Sequence, residues 1–284
     1  MISIITPSFH QLDWLRLAMA SVADQEGAEV EHIVQDGGTP GIEEALHANM
    51  ALARAQLFVE KDQGMYDAIN RGLANARGHL CGHLNSDEQY LPGALREVEH
   101  YFRAHPTTDV LFGDAILVDA SGLPIAYRRT IKPSLAHLRL ADLNTLTCAT
   151  FFSRRLVEAG HLFPTHLKIA GDQYWIFQLL KAGAKMAVLP KPLSVFTFTG
   201  DNLSQSKQAA AEKFGWLPSS ESPHRWTTPI VVAWHRLRKL LAGAYRRRDL
   251  EIDIYTRASP HHRQRISARQ VGFQWPRATS PDNS

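Results

Sequence analysis

Two short stretches carry most of the side chains that could do chemistry. In 84-LNSDEQYLPGAL-95, an apolar run, 78-GHLCGHL-84, breaks off into Asn85, Ser86, Asp87 and Glu88. In 169-IAGDQYWIFQLLKAG-183, Asp172 stands ahead of an amphipathic run with Ile176, Leu179 and Leu180 on one side. Small acids at such places have two physical readings. One is helix capping, in which Ser, Asn or Asp accepts otherwise orphaned backbone N–H groups. The other is a carboxylate held at a strand end to bind a metal ion or phosphate, or to take a proton. Further polar groups stand at comparable positions. Thr6, Pro7 and Ser8 follow an apolar run at 2–5, and Asp36 follows another in 34-VQDGG-38. Glu60, Asp62 and Gln63 follow Leu57–Val59.

The elements that must hold these groups follow from periodicity. Ile2–Thr6, Val30–Gln35, Leu57–Glu60 and residues 79–84 read as short buried strands. Between and after them, residues 11–25, 41–54, 64–77 and 91–104 carry apolar side chains at helical spacing. Four strand–helix units in about 100 residues predict a parallel sheet with helices on both faces. Ligands of such sheets sit at the carboxyl ends of the strands. Three of the four strand ends deliver an acid to that edge. A lone turn Asp is ordinary, but three at one edge make a site, suited to hydroxyls, an imide edge or a metal. The first strand is followed by TPSFH rather than G-x-G-x-x-G, which argues against a dinucleotide-binding enzyme.

In 62-DQGMYDAINRGLANARG-78, Asp67, Asn70 and Arg71 share one helix face at i, i+3 and i+4. They form either a local ion pair on a solvated face or a set aimed at the same ligand, with Arg71 suited to a diphosphate. After residue 108 the rhythm turns to mixed α+β, with strands at about 109–112, 115–118, 124–128, 148–153, 185–189 and 194–197 and helices at 134–141, 154–159 and 172–182. This half is expected to continue the same sheet.

The 284 residues are 44% apolar and 21% charged, enough for a real core. The net charge of +3 is unevenly spread: Arg225–Ser284 holds 12 Lys/Arg against 4 Asp/Glu, the remainder 19 against 24. Cys81 and Cys148 lie in apolar contexts and are expected to be buried free thiols in a reducing compartment. MISIITPSF lacks a signal-peptide pattern, and no apolar run is long enough to span a membrane. His10, His83 and His166 lack metal-ligand spacing.

The order TPSF, QDGG, EKDQGMYDAINRG, LNSDE resembles the family 2 inverting glycosyltransferases, closest to the branch that builds bacterial exopolysaccharide and colanic-acid-type polymers. The resemblance covers about residues 2–200. It implies an α/β fold of GT-A type, a Rossmann-like nucleotide-binding sheet at 1–108 continued by an acceptor-binding half at 109–205. It implies a UDP- or GDP-sugar donor, a glycan or lipid-linked acceptor, and a cytoplasmic location that extends to the inner membrane surface. By the same resemblance, Thr6, Pro7 and Ser8 run along base and ribose, Asp36 and Asp62 meet the nucleobase side, and Asp67, Asn70 and Arg71 line the nucleotide pocket. Asn85 and Ser86 lead to Asp87, which ligates a divalent cation, Mn²⁺ or Mg²⁺, with Glu88 as a possible helper. Asn85 stands where the family pattern has Asp, so one strong carboxylate remains. Asp172 takes the place of the base. The segment 198-FTGDNLSQ-205 is similar to the one that closes over the diphosphate, with Asp201 where Gly is usual. The rivals are a nucleotidyltransferase that makes nucleotide sugars, which needs a basic Gly-rich loop after strand one, and a non-catalytic nucleotide-sugar-binding module.

Residues 206–229 read as a linker. Residues 230–248 read as an amphipathic helix, with Ile230, Trp234, Leu237, Leu241 and Tyr245 in one stripe. Such a helix lies on an anionic membrane or packs on the body with its basic side outward. The last 25 or so residues are polar and basic, and read as disordered. No nucleic-acid-binding pattern is visible.

Overall fold

The computed structural model describes residues 1–47, 55–141, 143–200, 212, 215–216 and 227–276. Four parallel strands form the first half of one sheet: β1 (Ile2–Ser8), β2 (Val30–Asp36), β3 (Ala55–Val59) and β4 (Leu80–His83), in the order β3-β2-β1-β4. Every residue of β1 is buried, as a strand covered on both faces must be. On one face lie α1 (Leu12–Ala23) and α2 (Ile42–His47), whose Leu15, Met19, Ile42 and Leu46 pack with Val34. On the other lies α3 (Met65–Asn75), whose Ile69 and Leu73 pack on Ile5 and Ile33. The doubly covered parallel sheet read from the sequence is thus present.

The second half extends the same sheet. β5 (Glu88–Tyr90), β6 (Val110–Asp119), β8 (Thr150–Ser153) and β9 (Met186–Phe198) continue it in the order β4-β8-β6-β9-β5, with β7 (Pro124–Arg128) beside the far half of β6. The β4–β8, β8–β6 and β9–β5 pairs are antiparallel, and β6–β9 is parallel. The two strands expected at 185–189 and 194–197 are one long β9, whose register against β6 shifts near Pro192. The helices here are α4 (Ala94–Ala104), α5 (Leu135–Leu138), α6 (Arg155–Glu158) and α7 (Gly171–Lys181). Cys81 and Cys148 are buried free thiols.

The expected disorder of the last 25 or so residues is corrected as far as Val271, and the stretch before it, for which no element was expected, is a strand. After α8 (Thr228–Leu241), β10 (Arg248–Thr256) and β11 (Ser259–Val271) form an antiparallel hairpin. Its Ile252 and Ile254 pack on Ile116, Val118, Tyr127 and Val195. Its polar groups are tied down as well. Arg263 makes two bonds to Asp24 (2.5 and 2.7 Å), the Tyr255 hydroxyl donates to Asp24 (2.8 Å), and Gln89 bonds both ways with the Tyr255 backbone. Residues 277–284 and most of 206–229 lie outside the described residues.

Candidate active site

The carboxyl ends of β1–β4 and the amino ends of α3 and α7 meet along one rim, and the contacts can be followed step by step. From the β4 loop, the Ser86 hydroxyl donates to the Pro7 carbonyl (2.9 Å). Between the β1 and β2 loops, the Gly37 N–H donates to the Ser8 carbonyl (2.9 Å) and the His10 N–H to the Thr39 hydroxyl (2.8 Å). Between the β2 and β3 loops, Asp62 comes so near Gly37 that a Cβ there would lie 2.9 Å from its Oδ2 and 3.0 Å from the Phe9 ring. Gly37 is therefore the residue that lets three loops converge.

From the start of α3, the Tyr66 hydroxyl donates to the Ile169 carbonyl (2.8 Å) and accepts the Asp172 N–H (3.1 Å). Lys168 Nζ reaches the Gln63 carbonyl. Gly171 allows this approach, since a Cβ would lie 2.5 Å from the Tyr66 ring.

At neither motif is the acid the N-cap residue of a helix. Behind LNSD the chain forms β5, not a helix, and α4 begins only at Ala94 after a left-handed Gly93. At α7 the N-cap position is Ala170. The N–H groups of Lys168, Ile169 and Ala170 go to the Glu212 carboxylate (3.0, 2.8 and 3.2 Å). Asp172, the second residue of α7, accepts the first-turn N–H of Gln173 (2.8 Å). Its carboxyl is partly exposed. Burial pushes it up to about 6, against the opposing pull of the Gln173 N–H and the Tyr66 hydroxyl. A carboxylate placed near neutrality beside a shared rim is suited to take a proton.

At the acid motif, burial also pushes Asp87 up to about 6. Burial and then the charge of Asp87 push Glu88 up to about 8. Glu88 is fully buried, its Oε2 accepting the Asn85 N–H (2.8 Å), so it shapes the turn from inside rather than standing beside a ligand. Two more oxygens here, Ser8 Oγ and Asn85 Oδ1, are buried without a hydrogen-bond partner. An all-oxygen set with one partly exposed carboxylate fits a hard divalent cation completed by substrate phosphates. Among the described residues no three His, Cys, Asp or Glu side chains cluster to hold a metal by themselves.

Other expected residues are placed differently from one another. Asp36 is buried, and its oxygens take the Gly38 and Thr39 N–H groups (2.9 and 2.6 Å) and the Thr39 hydroxyl (2.9 Å), so it builds the β2 loop. Asp62 accepts the Gly64 N–H (2.8 Å). Asp67 and Arg71 are the local pair (3.0 Å), with Arg71 also on Glu60 (3.2 Å). Two expected residues have their side chains engaged within the protein. The Thr6 hydroxyl is buried against His32 Nε2 (2.9 Å). Asn70 bonds both backbone groups of Phe163 (2.8 and 3.0 Å) and is a strut between α3 and the approach to α7.

Sequence reasoning passed over Phe9, Tyr66, Lys168 and Glu212. Phe9 is 59% exposed at the end of β1, where nothing in the fold requires an aromatic ring. Phe9 and Tyr66 lie inside the quoted motifs, next to the acids that drew attention; Glu212 carried no signal. His83 is buried edge-on to Phe163, and burial lowers it to about 4, an ordinary neutral core histidine.

The model of the Glycosyl transferase family 2 family matches residues 3–154, more than half of the chain. The chain belongs to glycosyl transferase family 2. An uncharacterized glycosyltransferase of Mycobacterium tuberculosis is 38% identical over 183 residues, 62% of this chain and 68% of the relative. TuaG of Bacillus subtilis, named for teichuronic acid biosynthesis, is 24% identical over 216 residues, 75% of this chain and 85% of TuaG. Among solved structures, S. aureus TarS 1–349 in complex with UDP-GlcNAc superposes with a TM-score of 0.56 at 20% identity, over 69% of this chain and 58% of that one. A mannosyltransferase of Pyrobaculum calidifontis in complex with GDP-Man and Mn²⁺ gives 0.52 at 16% identity, over 86% and 73%. These likenesses show the GT-A fold. Membership of this family sets the nucleotidyltransferase reading aside.

Proposed function

We propose that this chain moves a sugar from a UDP- or GDP-sugar to a hydroxyl of a glycan or lipid-linked acceptor, with inversion at the anomeric carbon, in bacterial glycan assembly. The observation that carries this is Asp172, which stands inside the first turn of α7 rather than at its N-cap, lies on the shared rim, and is pushed by burial up to about 6. Support for the donor class comes from the ligands named for the two structural neighbours, UDP-GlcNAc and GDP-Man. TuaG, named for a cell-wall polymer, supports the acceptor class.

In this reading Phe9 offers its exposed face to the base. Asp36 shapes the loop behind it, Asp62 stands on the base side, and Pro7 and Ser8 line the ribose side. Asp87 would hold Mn²⁺ or Mg²⁺, and such a cation would supply positive charge to offset that of the departing diphosphate. The Asp172 carboxylate takes the proton of the acceptor hydroxyl as its oxygen bonds the anomeric carbon and the sugar–phosphate bond breaks. Tyr66 fixes Asp172 by gripping its backbone N–H.

The test is release of nucleoside diphosphate from a panel of UDP- and GDP-sugars, with and without Mn²⁺, in the presence of a bacterial lipid extract. One donor turned over in a metal-dependent way supports the proposal. Nucleotide binding with no donor turned over would move the assignment to a non-catalytic binding module.

A further inference from the structure

Helix α8 is turned inside out. A helix packed on a soluble body buries its apolar stripe and shows its charges. Here Ile230, Trp234, Leu237 and Leu241, at i, i+4, i+7 and i+11, form the outward face, with Leu240 at its edge. Ile230 is 70% exposed, Trp234 59% and Leu241 77%, and no residue of the helix is buried. The polar side chains face inward instead. His235 stacks on His137 of α5 with ring centroids 3.4 Å apart, Arg238 donates to the Lys132 carbonyl (2.6 Å), and Lys239 lies over the Tyr245 ring. At the far end, Arg129 holds the Ala242 carbonyl (3.1 Å). The helix is thus fixed to the body by its basic side, which excludes the arrangement with that side outward.

Charge selects the occupant of the outward face. From Thr227 to Arg248 there are six Arg/Lys and no Asp or Glu, with Arg236, Arg246 and Arg247 exposed around the apolar stripe. No described helix is long and apolar enough to cross a membrane. An apolar strip ringed by uncompensated cations matches an interface of acyl chains beneath anionic headgroups. We propose that α8 lies in the surface of an anionic lipid bilayer, with Trp234 and Leu241 inserted and Arg236, Arg246 and Arg247 at the headgroups. This does not rest on the glycosyl-transfer reading, and its test does not use activity as the primary readout.

The experiment is sedimentation of the full chain with vesicles, pure phosphatidylcholine against a phosphatidylcholine–phosphatidylglycerol mixture. The wild type is expected to bind the mixed vesicles alone, with a blue shift of tryptophan emission, and to be released by salt. Substituting Trp234→Ser with Leu241→Ser is expected to weaken binding by roughly tenfold or more. Arg246→Glu with Arg247→Glu should do so through charge alone. Both pairs are exposed, so circular dichroism and melting should match the wild type. The proposal is overturned if wild type ignores phosphatidylglycerol vesicles, or if both variants bind as it does. It is equally overturned if light scattering shows a dimer that Trp234→Ser with Leu241→Ser dissolves, since a second copy then covers the face.

Discussion

The titration of Asp172 is the most quantitative consequence of the site. Burial raises the carboxyl from an ordinary 3.8 to about 6. At 1.36 kcal/mol per unit that is about 3 kcal/mol favouring the protonated form, an upper figure because the residue is partly exposed to water. The sign follows directly. The unfolded chain loses this proton near 3.8 and the folded chain near 6, so folding is penalised as pH rises through that window. Activity runs the other way, because a base must be deprotonated. The acceptor kcat/KM should climb about fivefold between pH 5 and 6, to about half-maximum, and level off above about 7.

The Tyr66 hydroxyl lies beside this carboxyl and favours its charged form. Tyr66→Phe should therefore move the limb to higher pH, by about half a unit to one unit, with the plateau reduced. Asp87 also titrates near 6, but it is remote from Tyr66 in the contact chain, so only an Asp172 limb moves. The assay is diphosphate release at saturating donor across pH 4.5–8.5 for both proteins. A flat profile, or a limb that Tyr66→Phe leaves in place, refutes the assignment of the base.

The remaining predictions are narrower. Asp87→Asn should weaken Mn²⁺ binding in the presence of nucleoside diphosphate by about tenfold or more, read by calorimetry, with the melting temperature unchanged or raised because a buried acid is removed. Asn70→Ala breaks two bonds to Phe163 and should cost about 1–3 kcal/mol in urea unfolding while leaving donor KM unchanged; a raised donor KM at full stability restores Asn70 to the nucleotide pocket. Gly171→Ala sets a Cβ 2.5 Å from the Tyr66 ring, so it should cost about 1–3 kcal/mol and lower kcat far more than donor affinity.

The first half of the fold was legible because βα units write two periods into the chain, and burial on both faces makes each strand a solid apolar run. The acid motifs were legible as breaks in those runs. What was missed divides by cause. β10 does show alternation, Leu250, Ile252 and Ile254 between Asp249, Glu251 and Asp253, but β11 reads as basic and polar. Its arginines are neutralised by partners distant in sequence, Arg263 by Asp24 across 239 positions and Arg265 by Asp253. No local pattern can announce such pairs. Asn70 shared a helix face with Asp67 and Arg71 as read, yet face alone does not tell a ligand contact from a backbone strut. The same holds for Thr6, whose hydroxyl is taken up by His32, a neighbour on the adjacent strand 26 positions away.

The central claim is that Asp172 is the base of a donor site built on the strand-end rim. It is tested most directly by Asp172→Asn, an isosteric change that keeps the acceptor for the Gln173 N–H. Nucleotide affinity and diphosphate release should be measured on the same preparation. The account predicts wild-type binding of the nucleoside diphosphate with release reduced by about 10²–10⁴. Release within about threefold of wild type would contradict it.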